Sequence, residues 1–150
     1  MREIEFRGKR LDNGEWVYGS LLVSEGGDAY IGTWLIKSQP IYAECGRRNG
    51  KTNDRFNGIG LARVDPETVG QYTGLKDKNG KKIFEGDIVA LVFRDGIQRD
   101  IGTVKYGNFN CSCCDGVYGW YVDRHGDIRN IQEYGIALGN IYDNPELLRG

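Results

Sequence analysis

The amino-acid sequence predicts a mainly β fold with minor helix, and three observations support this class. Glycine is abundant, at 23 of 150 residues, and follows no collagen-like period. Separated glycines with only three prolines are typical of tight turns between short strands. Apolar residues alternate with polar or small ones, and no helical period continues beyond about three turns. We predict one domain, with an N-terminal β-meander to about residue 60 packed on an SH3-like barrel subdomain over residues 65–150.

Two turn signals organise the first strands. Asn13-Gly14 separates an alternating run that begins at Ile4 from a second run that contains Trp16. Asn-Gly is a strong hairpin signal because both central residues of a type I′ turn need positive φ. The polar, glycine-rich residues 25–28 predict a second hairpin in the same way.

The middle of the chain contains a long polar stretch and a helix start. From about residue 44 to 57 the apolar pattern stops, which predicts a long surface loop. Asp65 followed by Pro66 is typical of a helix N-cap and first helical position. The helix must be short, because Gly70 follows soon after.

The second half of the chain repeats the pattern of short strands and turns. Asp77-Lys78-Asn79-Gly80 predicts a tight turn. Strands are predicted at Ile88–Phe93, Ile97–Tyr106, Val117–Val122 and Tyr134–Tyr142, and one helical turn after Pro145. Residues 108–116 are predicted to form a cysteine-containing loop.

Three blocks of the sequence resemble the YopX family. They are Phe6–Leu11 with Trp16–Gly19, Val64–Leu75 with Asp77–Val89, and Gly139–Leu148. The central block is the most specific, because a long near-continuous run rarely agrees by chance. The resemblance implies a bacteriophage or prophage origin and a predominantly β fold without an established biochemical activity. It supplies no catalytic or ligand residue.

Charge and hydropathy exclude several partners. The 20 basic and 21 acidic residues are mixed along the chain and leave a net charge of −1, so no general field attracts nucleic acid or an anionic membrane. No stretch approaches the roughly 20 apolar residues of a membrane span, and the N-terminus has no signal-peptide core. We predict no membrane partner and a location in the reducing cytoplasm of the host cell.

The four cysteines permit a zinc site as an alternative. Cys111 and Cys114 have the spacing of a ligand pair, and Cys45 with His125 would complete four ligands. Structural zinc sites normally have two close pairs, whereas Cys45 and His125 are each solitary. We therefore favour packed or incidental thiols and predict no metal and no cofactor.

No catalytic set is predicted. The single histidine, His125, lies in a sequence typical of a hairpin turn, and no nucleophile elbow or phosphate-binding glycine loop is present. Glu85 and Asp87 are paired carboxylates near a glycine turn. We expect Asp87 to accept backbone N–H bonds there. The sequence thus predicts a protein that is not an enzyme.

Nucleic-acid binding is the alternative function with named residues. Arg47, Arg48 and Lys51 share one loop, and a second loop has Lys76, Lys78, Lys81 and Lys82. Cationic loops beside exposed aromatics, for which Tyr72 and Phe84 are candidates, can bind a single strand. Acidic residues interrupt both loops, so a solvated hairpin tip is the favoured interpretation.

Protein contact is the leading functional hypothesis. The aromatic residues Trp16, Tyr18, Trp34, Tyr118 and Trp120 are expected in the core or between subunits, because they alternate along strands. We expect a phage or prophage accessory protein that contacts an unknown host or phage protein, and a homo-oligomer is one form of such contact.

Overall fold

The structure is a computed structural model that describes residues 1–34, 59–92, 95–111, 114–123, 126–128 and 131–149. Most of the described chain is antiparallel strand with short helical segments, so the mainly β prediction is confirmed. The chain forms two compact units. We call Glu5–Val69 the meander unit, and Met1–Ile4 with Gly70–Gly150 the ribbon unit. No described helix is long and apolar enough to cross a membrane.

The meander unit contains four antiparallel strands that neighbour one another in chain order, as predicted. They are β1 (Phe6–Lys9), β2 (Trp16–Val23), β3 (Ala29–Trp34) and β4 (Ile59–Val64). Arg10, just after β1, forms a β-bridge with Val64 at the end of β4. The sheet therefore curls until its first and last strands meet. A 3₁₀ turn at Pro66–Thr68 follows, capped by Asp65 as predicted.

Both predicted hairpins of this unit are present. The β1–β2 connection spans residues 10–15 and is longer than a two-residue type I′ turn. The Gly14 N–H donates to the Arg10 carbonyl at 3.0 Å, with Gly14 at φ 73°. The β2–β3 turn is closed by the Asp28 N–H, which donates to the Ser24 hydroxyl at 3.1 Å.

The core of the meander unit forms on the inner face of the curled sheet. Ala29, Ile31 and Val64 are buried, and four partly buried side chains pack on them: Phe6, Val17, Leu21 and Val69. A Cβ on Gly8 would lie 2.8 Å from a methyl carbon of Val64. Glycine is therefore required at position 8 for this close approach of β1 to β4.

The ribbon unit begins with the paired strands β5 (Gly70–Lys76) and β6 (Lys82–Phe84), joined by the predicted Asp77–Gly80 turn. A five-stranded antiparallel sheet has the order β10-β9-β8-β7-β11. Its elements are β7 (Asp87–Val92), β8 (Gln98–Cys111), β9 (Cys114–Val122), β10 (Gly126–Asp127), the short helix α1 (Ile131–Tyr134) and β11 (Gly135–Asn140). A 3₁₀ helix at Pro145–Arg149 follows.

The predicted cysteine loop at 108–116 is wrong. β8 continues to Cys111 and β9 begins at Cys114, so most of these residues lie in strands. Cross-strand pairing overrides the low strand propensity of their Asn, Gly and Asp residues.

A buried apolar cluster fills the ribbon unit. Its members are Ile83, Val89, Val104, Val122, Ile128 and Ile131, with Leu75, Trp120 and Ala137 packed against them. The SH3-like geometry of this half, and the packing of the two halves on each other, stay predictions.

Candidate protein-contact surface

The long strand β8 pairs with two neighbours in succession. Residues 98–103 pair with β7, and residues 104–111 pair with β9. Residues 105–111 and 114–120 therefore form a two-stranded extension beyond the pairing with β7, which we call the ribbon. Among the described strands, none pairs with either outer edge of the ribbon. Isolated two-stranded ribbons are marginally stable in water, so such an extension is suited to gaining a partner.

An aromatic ladder of Tyr106, Tyr118 and Trp120 covers one face of the ribbon. Tyr106 and Trp120 are cross-strand partners with ring centroids 4.8 Å apart, and the Tyr106 and Tyr118 centroids are 5.4 Å apart. Side chains alternate along a strand, so this face continues the one on which Val104 is buried in the core. The ladder thus runs from the core into solvent, where Tyr118 is 71% exposed and Tyr106 is 52% exposed.

The exposure of two of the five aromatic residues excludes the core part of their prediction, and packing between subunits stays a prediction for them. Tyr118 and Tyr18 are both exposed, so neither is a core residue. Trp120 does pack on the apolar cluster, as expected. Trp16 is half-buried, with the Arg7 guanidinium carbon 4.8 Å from its ring centroid. The side chain of Trp34 lies outside the described part of the chain.

Aromatic rings also occupy the opposite face of the ribbon. Phe109 and Tyr121 have centroids 5.4 Å apart and an interplanar angle of 31°. Gly107 and Gly119 face each other across the two strands, and a Cβ on Gly107 would lie 4.0 Å from the Tyr121 ring. The Tyr121 ring thus covers a position without a side chain.

The ribbon is poor in charge. Between Tyr106 and Val122 the sequence has one charged residue, Asp115, and no lysine or proline. Lys105, just before this segment, donates to the Asp123 carboxylate at 2.9 Å, and this hydrogen bond raises the pKa of Lys105. Charges and prolines are the usual protection of exposed strand edges against pairing. Their scarcity here leaves the edges of the ribbon open to another strand.

The lysine hairpin between β5 and β6 differs from the predicted nucleic-acid site. Lys76, Lys78 and Lys81 are exposed, whereas Lys82 pairs with Glu3 and lies 5.0 Å from the Tyr72 ring centroid.

The aromatic part of that prediction is wrong. Tyr72 and Phe84 are each only 4% exposed, so neither offers a stacking surface. The other predicted cations, Arg47, Arg48 and Lys51, lie outside the described residues.

Asp77 is a structural residue that sequence reasoning assigned only to a turn. One carboxylate oxygen accepts from the Asn79 and Lys81 N–H groups, each at 2.9 Å. The other accepts from the Ala137 N–H at 3.0 Å, which ties the hairpin to β11. The turn composition predicted the first two bonds, but the third joins residues that are 60 apart in sequence.

The role predicted for Asp87 is confirmed. Its side chain is 3% exposed and accepts from the Phe84 N–H at 2.8 Å. This bond fixes the turn between β6 and β7, where the other residue of the predicted carboxylate pair, Glu85, is half-buried.

The C-terminal block that resembles the family also has structural roles. The side-chain oxygen Oδ1 of Asn140 accepts from the Tyr142 and Asp143 N–H groups at 3.0 and 2.9 Å. A Cβ on Gly139 would collide with the Asn144 side chain, so glycine at position 139 permits that approach. These residues of the C-terminal block therefore stabilise the fold.

The described residues do not test the alternative zinc site. Cys111 and Cys114 occupy paired backbone positions at the end of the ribbon, while Cys45 and His125 lie outside the described part of the chain. In the described residues, no group of three or more His, Cys, Asp or Glu side chains is placed to hold a metal ion.

These features define a class: an antiparallel β protein with an exposed aromatic ribbon, in which buried polar side chains accept hydrogen bonds from backbone N–H groups. The chain belongs to the YopX protein family, whose family model matches residues 5–149. No curated protein matches it in a sequence comparison.

A solved structure has a similar fold. It is the crystal structure of protein EF1440 from Enterococcus faecalis, with 21% identity, a TM-score of 0.56 and coverage of 99% of each chain. At this identity the similarity extends to the fold alone.

Proposed function

We propose that the protein is a non-enzymatic accessory protein of phage or prophage origin that acts in the host cytoplasm by binding another protein through the ribbon. The observation that supports this proposal is the solvent-exposed aromatic ladder on a charge-poor ribbon whose outer edges pair with no other described strand. Adding a strand to an exposed edge is a common mode of protein recognition, in which main-chain bonds give affinity and side chains give specificity.

The size of the exposed rings supports a binding hot spot. A buried aromatic side chain covers about 150–250 Å². At about 25 cal/mol per Å², burying the exposed part of Tyr118 contributes about 3 kcal/mol. Residues that contribute 2 kcal/mol or more dominate typical interfaces, and tyrosine is enriched among them.

Ring geometry and charge favour a protein over a nucleic acid at the ribbon. The Tyr106 and Tyr118 planes meet at 87°, so the two rings do not form one flat stacking platform. Single-strand binding also needs cations along the groove, and Lys105, the one lysine of the ribbon, is paired with Asp123. A ridged, uncharged surface suits apolar protein side chains.

The test is affinity capture with the full-length chain and a matched pair of variants. The ribbon variant changes Tyr106→Ser and Tyr118→Ser. The control changes Leu22→Ser and Leu61→Ser, which are 51% and 53% exposed in the meander unit. We expect at least a tenfold loss of each specific partner with the ribbon variant only. Equal capture by the wild type and the ribbon variant would refute the proposal.

Single-strand nucleic-acid binding remains the second candidate because Lys76, Lys78 and Lys81 form an exposed cationic hairpin. The burial of Tyr72 and Phe84 leaves phosphate contact without base stacking at this hairpin. We therefore expect only weak, salt-sensitive binding there.

A further inference from the structure

We propose that the partner of the ribbon is a second copy of this chain, with the β8 strands of the two copies paired antiparallel, edge to edge. This inference rests on the proposed function and specifies the partner. Residues 105–111 pair with β9 on one side and with no described strand on the other.

A two-fold axis makes this edge self-complementary. Each copy presents the same row of backbone N–H and C=O groups, and a symmetric contact uses one surface twice. If all of residues 105–111 pair, the midpoint is Asn108, which then faces Asn108 of the other copy. Each amide both donates and accepts, so the two exposed side chains can bond across the axis.

Charge favours this pairing. In the symmetric register Lys105 of one copy meets Cys111 of the other, and no two like charges oppose each other among residues 105–111. The chain as a whole has a net charge of −1, so long-range repulsion between copies is small.

The symmetry also places the two aromatic ladders on the same face. An axis perpendicular to the sheet keeps each face on its own side, so both ladders lie on one face of a continuous four-stranded sheet. A sheet of three or more strands with a hydrophobic face has the independent stability that a two-stranded ribbon lacks.

The available area predicts a reversible dimer. Tyr118 lies on β9, one strand away from the paired edge, so Tyr106 is the ladder ring nearest to the other copy. At 52% exposure and roughly 200 Å² per side chain, its ring offers about 100 Å² per copy. A standard stable interface buries about 800 Å² per partner. Edge pairing adds area over seven residues only, so we expect dissociation on dilution.

The first experiment is analytical ultracentrifugation of the full chain, in reductant to prevent disulfide cross-links, over a wide concentration range. We expect the average mass to rise from monomer towards dimer. Asn108→Lys and Asn108→Glu should each raise the dissociation constant at least tenfold, and a one-to-one mixture of the two should restore dimers. The matched control is Gln98→Lys and Gln98→Glu, at an exposed position of β8 outside the ribbon, and it should dimerise like the wild type.

Hydrogen exchange tests the same contact in the wild type without a substitution. Amides of residues 105–111 should become more protected as concentration rises. A wild type that stays monomeric at several hundred micromolar, a dimer that both Asn108 variants leave unchanged, or concentration-independent exchange would each overturn the inference. If the wild type is monomeric yet the Tyr106/Tyr118 variant loses a different protein in the capture experiment, only the self-pairing is wrong.

Discussion

Single polar residues hold the turns of this protein in place. Asp77 satisfies three backbone N–H groups, Asp87 caps the β6–β7 turn, and Asn140 organises the turn after β11. Buried polar groups are costly unless they are hydrogen-bonded, so each of these side chains is required by the backbone around it.

Replacing Asp77 tests this role. Asp77→Ala leaves three backbone N–H groups without their acceptor and should lower the free energy of unfolding by about 3 kcal/mol. The control is Asp65→Ala, which removes an N-cap bond to Glu67 and should cost about 1 kcal/mol. Urea unfolding followed by circular dichroism measures both values. Equal losses in the two variants would contradict the structural role of Asp77.

The ion pair at the β1–β2 connection predicts a pH dependence. The Arg10 guanidinium donates to both Asp12 oxygens, at 2.8 and 2.6 Å, and holds the pKa of Asp12 below its ordinary 3.8. A lowered carboxyl pKa stabilises the fold above the unfolded value, and this contribution disappears as pH falls through the folded pKa. The melting temperature of Asp12→Asn should therefore lie below that of the wild type at pH 7, and the difference should be smaller at a pH below 3.8. A difference of the same size at both pH values would contradict the sign of this effect.

Local sequence predicted the turn residues and missed their distant partners. Asp87 and Asp65 were predictable because their bonds lie within three residues, where composition is informative. The Asp77 bond to Ala137 was not, since no local pattern reports a contact 60 residues away. The same limit hid the exposure of Tyr118, because alternation identifies the face of a strand but not whether another layer covers it.

At the scale of elements, turn signals located the strands but not their lengths. The Asn13-Gly14 and 25–28 hairpins were predicted from glycine and polar residues, and both form. The tip of the ribbon, residues 108–116, was predicted as a loop because Asn, Gly and Asp have low strand propensity, which cross-strand neighbours outweigh. The candidate contact surface therefore became visible only with the register of β8 and β9.

The hairpin between β5 and β6 provides a test of the alternative function. Lys78→Glu with Lys81→Glu should abolish any binding of single-stranded oligonucleotide at low salt and flatten its salt dependence, because phosphate contact is the only attraction expected there. Lys105→Glu, a single charge reversal in another strand, is the control, and it is compared with Lys78→Glu alone as well as with the double variant. Tight binding that persists in the Lys78/Lys81 variant would place the nucleic-acid contact elsewhere.

Across the whole molecule, fold and family were predictable and function was not. Glycine spacing and strand alternation predicted the β architecture, and the three resembling blocks predicted the YopX family. Those blocks contain Asp77, Asp87 and Asn140, whose side chains accept hydrogen bonds from backbone N–H groups at turns. The ribbon lies outside them, so the surface that we propose for binding had no family signature in the sequence.

Site-specific photo-cross-linking can show whether a protein contacts the ribbon in the cell. A benzophenone amino acid is placed at Tyr118 on the ribbon, or at Leu22 on the meander unit as the control, and cells that express the protein are irradiated. We expect a light-dependent cross-link to a protein, either a second copy or another chain, from position 118 and none from position 22. Cross-links from position 22 alone, or from neither position, would show that the ribbon is not the contact surface.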